Sequence, residues 1–126
     1  MNVVDSSGWL EYFADGANAA FFAPAIGDTR RLIVPTLSLF EVFKRVVQQR
    51  GEDDALQAVA AMQQGRVVAL GETLALEAAR LSVKEALPMA DSVMLATARA
   101  AGATLWTQDG DFAALDDLTI HVGRGH

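Results

Sequence analysis

The sequence predicts an α/β fold: a central parallel sheet of four to five strands with helices packed on both faces. Three observations predict it. Short apolar runs alternate with longer segments of helical spacing. Those short runs are apolar throughout, as strands buried on two faces require. The chain has 126 residues, 52% of them apolar, which is enough for one domain with its own core. A chain of this size buries roughly two-thirds of its unfolded surface.

The first run, "NVVD" (2–5), ends on an acid. "SSGWLEYFADG" (6–16) reads as a short helix, with Ser6 or Ser7 as its cap and Gly16 as its stop. "ANAAFFAPAI" (17–26) is helical and should break near Pro24. "RLIVP" (31–35) is a buried strand. "TLSLFEVFKRVVQQR" (36–50) places Leu39, Phe40, Phe43, Val46 and Val47 at helical spacing and ends at Gly51. "EDDALQAVAAMQQ" (52–64) is acidic at its start and stops at Gly65, a helix signature. "RVVAL" (66–70) is a strand and "ETLALEAARLSVKEA" (72–86) a helix. "PMADSVMLATARAA" (88–101) is a helix with Pro88 in its first turn. "ATLWT" (103–107) and "LTIHV" (118–122) complete the strands.

Composition narrows the chemistry. Without cysteine there are no disulfides, thiolate metal sites or cysteine nucleophiles. No run approaches the ~18 apolar residues that span a bilayer, and "MNVVDSSGW" has no signal-peptide pattern, so the cytoplasm is expected. The net charge of −6 argues against nucleic-acid binding through a general basic field. Bound cations or a local basic surface would be needed to reverse the sign.

The acids stand at informative places. In parallel sheets, ligands sit outside the carboxyl ends of the strands. Asp5 ends the first strand, and Asp109 and Asp111 follow the fourth. Asp91 lies in the first turn of an apolar helix, with Met94 and Leu95 on its face. Glu41 lies at the margin of an apolar stripe. Each has an ordinary structural role available. Asp5 can cap a helix. Asp91 can complement a helix dipole for about 0.3–1 kcal/mol. Glu41 can pair with Arg45 for about 0.3–0.5 kcal/mol, and Asp109-Gly110-Asp111 can be a turn. Five acids at element ends and core margins form a stronger pattern together, because converging carboxylates repel unless a cation or proton lies between them.

Oxygen ligands without His or Cys select Mg²⁺ or Mn²⁺. The only histidines are His121 and His126, which make no zinc set. A calcium loop starting at Asp109 would place Ala114 and Ile120 where Gly and Glu are required. A phosphorelay receiver would need an acceptor Asp after "RVVAL", where Gly71 and Glu72 stand. A dehalogenase-type phosphatase would need an Asp where Ser7 stands.

"VVDSSGWLEYF", "LSLFEVFKR", "LPMADSVMLATARAAGATLWTQDGDF" and "LTIHV", taken together and in order, resemble PIN-domain proteins, and among them the VapC-type ribonuclease toxins of toxin–antitoxin pairs. The resemblance covers almost the whole chain and implies a three-layer α/β/α PIN-like fold over 1–126. It implies a Mg²⁺- or Mn²⁺-dependent endoribonuclease acting on structured RNA such as transfer RNA, a homodimer, and a VapB-type antitoxin. The family's acids fall on Asp5, Glu41, Asp91 and Asp109, with Asp111 as a further, less regular one. Ser7 and Thr107 match supporting hydroxyl positions. Lys44, Arg45, Arg80 and Lys84 are candidate phosphate contacts. Residues 17–30 match least. A PIN-like binding module without catalysis is the alternative. Trp9, Tyr12 and Phe13 read as core or dimer contacts, Trp106 as buried and His121 as a packed strand residue.

Overall fold

A computed structural model describes residues 1–113, 115, 117 and 119–123. Five parallel strands form one sheet: β1 (Asn2–Val4), β2 (Leu32–Pro35), β3 (Arg66–Val68), β4 (Thr104–Thr107) and β5 (Ile120–Val122). Their spatial order is β3-β2-β1-β4-β5. The chain therefore winds outward from β1 to β3, then crosses back to β4 on the other side. The reversal leaves β1 and β4 adjacent, with Val3 opposite Leu105 and Val4 opposite Trp106. Crevices at such a switch point are where open α/β sheets bind ligands.

Six helices accompany the described strands: α1 (Ser6–Phe13), α2 (Ala19–Gly27), α3 (Thr36–Arg50), α4 (Glu52–Met62), α5 (Glu72–Glu85) and α6 (Met89–Ala100). Side chains along a strand point alternately to its two faces. Val4, Leu32 and Val34 accordingly join Trp9, Phe22, Val42, Val46 and Met62 in a core beneath α1 to α4. Val3, Ile33 and Leu105 join Leu87, Met94, Leu95 and Phe112 in a second core beneath α6. α5 packs on α6 through Ala78, Val93 and Ala96.

Several boundaries differ from the sequence reading. The cap of α1 is Asp5, not Ser6 or Ser7. Its backbone is extended, and its Oδ1 accepts the Ser6 N–H at 2.7 Å. α1 closes at Phe13, where Ala14 caps it and Asp15 takes a positive φ, before Gly16 is reached. α2 runs through Pro24 unbroken to Gly27. The proline removes one N–H from the ladder, while buried Phe22, Ala25 and Ile26 hold the helix on the core. β3 stops at Val68, and the Leu70 N–H turns to Thr36 Oγ1 at 3.3 Å. Of the last predicted strand, Leu118 lies outside the described residues, as does His126.

Side-chain placement differs too. Trp9 is fully buried and Phe13 half-buried, but Tyr12 is exposed. Trp106 is half-buried, donates through Nε1 to Asn2 Oδ1 at 2.9 Å and packs on Phe21. His121 is exposed on the edge strand, with its ring 5.0 Å from that of Trp106. The apolar stripe of α3 is Leu39, Val42, Phe43 and Val46, whereas Phe40 is 62% exposed.

Candidate metal centre

β1 delivers Asp5 to the carboxyl edge of the sheet. Its N–H still donates to the Trp106 carbonyl at 2.9 Å, extending the β1–β4 ladder by one residue. The acid is therefore held beside Thr107, the last residue of β4. Thr107 Oγ1 donates to Asp5 Oδ2 at 2.9 Å, and the same oxygen accepts the Asp109 N–H at 2.9 Å. One hydroxyl thus ties the end of one strand to the loop after the other.

Asp109 opens a single 3₁₀ turn, Gly110–Phe112, and its Oδ1 accepts the Asp111 N–H at 2.9 Å. Phe112, 1% exposed, anchors the turn in the second core. The stretch Asp109-Gly110-Asp111 is therefore a turn and also a fixed presentation of carboxylates. Beside it, Gln108 accepts from Asn18 Nδ2 at 2.9 Å and donates to Glu11 Oε2 at 3.3 Å, fastening the α1–α2 connection to this loop.

Asp91 arrives from α6, as the third residue after the Pro88 cap. Met94 and Leu95, on the same helix face, are fully buried and press that face onto the sheet. Ser38 Oγ reaches Met94 Sδ at 3.4 Å and links α3 to the same helix. Asp91 itself is 6% exposed and Asp5 5%.

Carboxylate oxygens of Asp5, Asp91 and Asp109 all lie within 4.8 Å of one another. Residues 86 and 104 positions apart in sequence from Asp5 are thus gathered at one point by the topology. The consequence is electrostatic. Burial pushes Asp5 up to about 6, against the hydrogen bonds from Thr107 and Ser6, with the charges of Asp109 and Glu41 adding to the rise. Burial pushes Asp91 up to about 8, reinforced by Asp111 and Asp109 and by the charge of Asp5. A position in a helix's first turn favours an ionised acid; here burial and the neighbouring acids outweigh it. Among the described residues, the ion pairs are Asp28–Arg31, Glu77–Arg80 and Asp117–Arg99, so no protein cation neutralises the cluster.

Glu41 stands on the Asp5 side. Ser6 Oγ donates to Glu41 Oε1 at 2.7 Å. Glu41 is half-buried and engages this hydroxyl rather than Arg45. Sequence reasoning missed Ser6 and singled out Ser7, whose buried Oγ has no partner among the described residues. No sequence signal separates the two serines, because the rotation of α1 that turns Ser6 towards α3 is set by packing. Asp111 is exposed on the rim. Lys44 and Arg45 are exposed and line a cleft with Glu41. Arg80 and Lys84 lie elsewhere, in a shallow depression on α5 with Leu76, Ala79 and Val83, and Arg80 is bonded to Glu77.

The sequence matches the model of the PIN domain over residues 3–118. The chain belongs to the PIN domain family. Solved structures of the same fold include a toxin–antitoxin complex from Klebsiella pneumoniae, 16% identical, with a TM-score of 0.81 and 97% of each chain covered. Another is the sarcin–ricin loop cleaving toxin VapC20 of Mycobacterium tuberculosis, 20% identical, with a TM-score of 0.76 over 94% of this chain and 98% of that one. A third is DNA-bound VapBC from Salmonella typhimurium, 12% identical, with a TM-score of 0.74 and 96% of each chain covered. Among curated protein sequences none matches.

The acids of this PIN domain suit a small divalent ion. An Mg²⁺–oxygen bond of ~2.05 Å places opposed ligand oxygens about 4.1 Å apart. The oxygens of Asp5, Asp91 and Asp109 fall within 4.8 Å of one another, close to that span. The donor set is carboxylate only, which favours hard ions. A divalent ion also supplies the positive charge that the two raised carboxyl groups lack. Among the described residues no helix is long and apolar enough to cross a membrane.

Proposed function

We propose that this PIN domain is a metal-dependent endoribonuclease and the toxin of a VapBC-type pair. The observation that carries the reading is the convergence of Asp5, Asp91 and Asp109, without a protein cation, at the switch point of the sheet. Asp5, Asp91 and Asp109 would hold Mg²⁺ or Mn²⁺, with Asp111 within reach from the rim. Such an ion, when bound, acidifies water and shields charge building on a phosphate.

The chain's own residues supply the rest. Thr107 fixes the Asp5 carboxylate and the Asp109 backbone together. Glu41, oriented by Ser6, accepts the proton of the attacking water. Lys44 and Arg45 meet the phosphate backbone on the side of Glu41, and their charge offsets the acidic balance of the chain where RNA approaches. Hydrolysis by water does not use the RNA's 2′-hydroxyl, so no 2′,3′-cyclic phosphate forms, and the resemblance to PIN-domain ribonucleases suggests a 5′-phosphate and a 3′-hydroxyl at the cut.

The partners follow from the same reading. The similar structures include toxin–antitoxin complexes, which supports a VapB-type antitoxin. A homodimer is supported by exposed Leu76 and Val83 on α5, since exposed apolar faces commonly serve association. A cytoplasmic site of action goes with an RNA substrate, transfer RNA among the structured RNAs to be tried.

The test is cleavage of structured RNA by purified protein with Mg²⁺ or Mn²⁺, alongside Asp5→Asn. Activity in the parent that is abolished by chelation and reduced at least 100-fold in Asp5→Asn supports the reading. Equal cleavage by both proteins, or none by either while the RNA is bound, contradicts it; the second result would leave a PIN-like binding module.

A further inference from the structure

Phe40 begins as a misfit. Its spacing in α3 matches the apolar stripe, yet it is 62% exposed, while its neighbour Val42 is fully buried. It does not stand alone. Phe40, Glu41, Lys44 and Arg45 line a cleft between α1 and α3 of about 340 Å³, whose other wall carries Ser6 and Leu10. That volume lies at the small end of ligand sites, which run from ~300 to 1,000 Å³.

We propose that this cleft is a nucleotide subsite of the RNA groove, with Phe40 as a stacking surface for one base and Lys44 and Arg45 as contacts to the adjoining phosphate. The inference rests on the endoribonuclease reading and extends it to how the substrate is gripped. Continuity with the metal centre comes from the inner wall. Ser6 follows Asp5 directly and bonds Glu41, so the cleft opens beside the Asp5 side of the acidic cluster. The cationic rim comes from helix periodicity. Lys44 is one turn beyond Phe40, with its Nζ 5.8 Å from the ring centroid. Arg45 is one turn beyond Glu41. Among the described residues neither cation is in an ion pair, so both are available to an anion.

The chemistry matches a nucleotide better than either half would alone. An aromatic face accepts any base by stacking, and adjacent cations take the phosphate that accompanies it. In a chain of net charge −6, such a pairing of ring and cations beside an acidic centre is a local reversal of sign. A segment of a protein partner is the competing occupant, and the test separates the two.

Binding of fluorescently labelled single-stranded oligoribonucleotides is read by anisotropy in the Asp5→Asn background, where the probe is not consumed. Phe40→Ala should weaken binding about tenfold, within the range for loss of one base–aromatic stack. Phe40→Trp should hold or tighten it, which a merely truncated or misfolded surface would not do. Replacing both Lys44 and Arg45 by Ala should reduce the slope of log affinity against log salt by about 0.7, the value for one phosphate neutralised on a single strand. Unchanged affinity in Phe40→Ala overturns the subsite. So does unchanged RNA affinity with a shift in molecular mass by light scattering, which would make the cleft a protein-docking surface. RNA that is gripped through Phe40 but never cut by the parent chain with divalent ions removes the nuclease reading and leaves the subsite standing. Cleavage without any Phe40 effect removes the subsite alone.

Discussion

Thr107 and Asp5, 102 residues apart in sequence, are joined by a 2.9 Å hydrogen bond from the Thr107 hydroxyl to Asp5 Oδ2. Because that hydroxyl also receives the Asp109 N–H, it sets the spacing between two of the three converging carboxylates. Thr107→Val keeps the shape and the strand preference but removes the bond. The expected outcome is a 10–100-fold loss of divalent-ion affinity, the usual range for partners that orient metal ligands. The melting temperature of the metal-free protein should fall as well, because Asp5 Oδ2 and the Asp109 N–H both lose the hydroxyl, at a cost of about 1–3 kcal/mol. Calorimetric titration of Mn²⁺ into both proteins checks it.

The acids themselves set a pH dependence. Asp5 at about 6 and Asp91 at about 8 both lie above their ordinary value of 3.8. The folded metal-free chain therefore holds protons that the unfolded chain releases. Their contribution to stability is complete below about pH 3.8 and is lost as pH rises through 6 and then 8. Asp117 acts in the opposite sense: the Thr119 hydroxyl and Arg99 hold it down at about 2, so its contribution is present above 3.8 and lost below. The metal-free melting temperature should therefore fall between pH 4 and 9, on the order of 10 °C. Saturating Mg²⁺ should remove most of that fall. Scanning calorimetry across this window, with and without the ion, is the measurement.

A prediction about packing concerns Gly8, in the middle of α1. A Cβ at this position would come within 2.6 Å of the Phe22 ring, which is fully buried. Gly8→Ala gains helix propensity, about 1 kcal/mol, but forces an overpacked contact that costs about 1–3 kcal/mol. The net outcome should be a loss of stability in chemical denaturation, despite a substitution that usually stabilises a helix.

How much of this was legible in the sequence depends on the kind of contact. The strands were, because "RLIVP" and "ATLWT" are apolar enough to be buried on two faces. The edge position of Asp5 and Asp109 followed from strand ends in a parallel sheet, but their closeness did not, because it depends on the strand order that puts β1 beside β4. Helix phase was not legible. Whether Ser6 or Ser7 faces α3, and whether Phe40 or Val42 faces the core, depends on a rotation that packing decides. The passage of α2 through Pro24 was hidden for a similar reason: burial of Phe22, Ala25 and Ile26 outweighs one missing hydrogen bond.

Asp5, Asp91 and Asp109 should share one divalent ion. The most direct measurement is a Mn²⁺ titration of the parent chain and of Asp91→Asn, followed by calorimetry at pH 8 and by thermal melting without metal. Asp91→Asn should bind Mn²⁺ at least tenfold more weakly, yet melt higher than the parent in metal-free buffer, because it removes a buried acid from among others. Equal Mn²⁺ affinity in the two proteins, with no gain in metal-free stability, would contradict it.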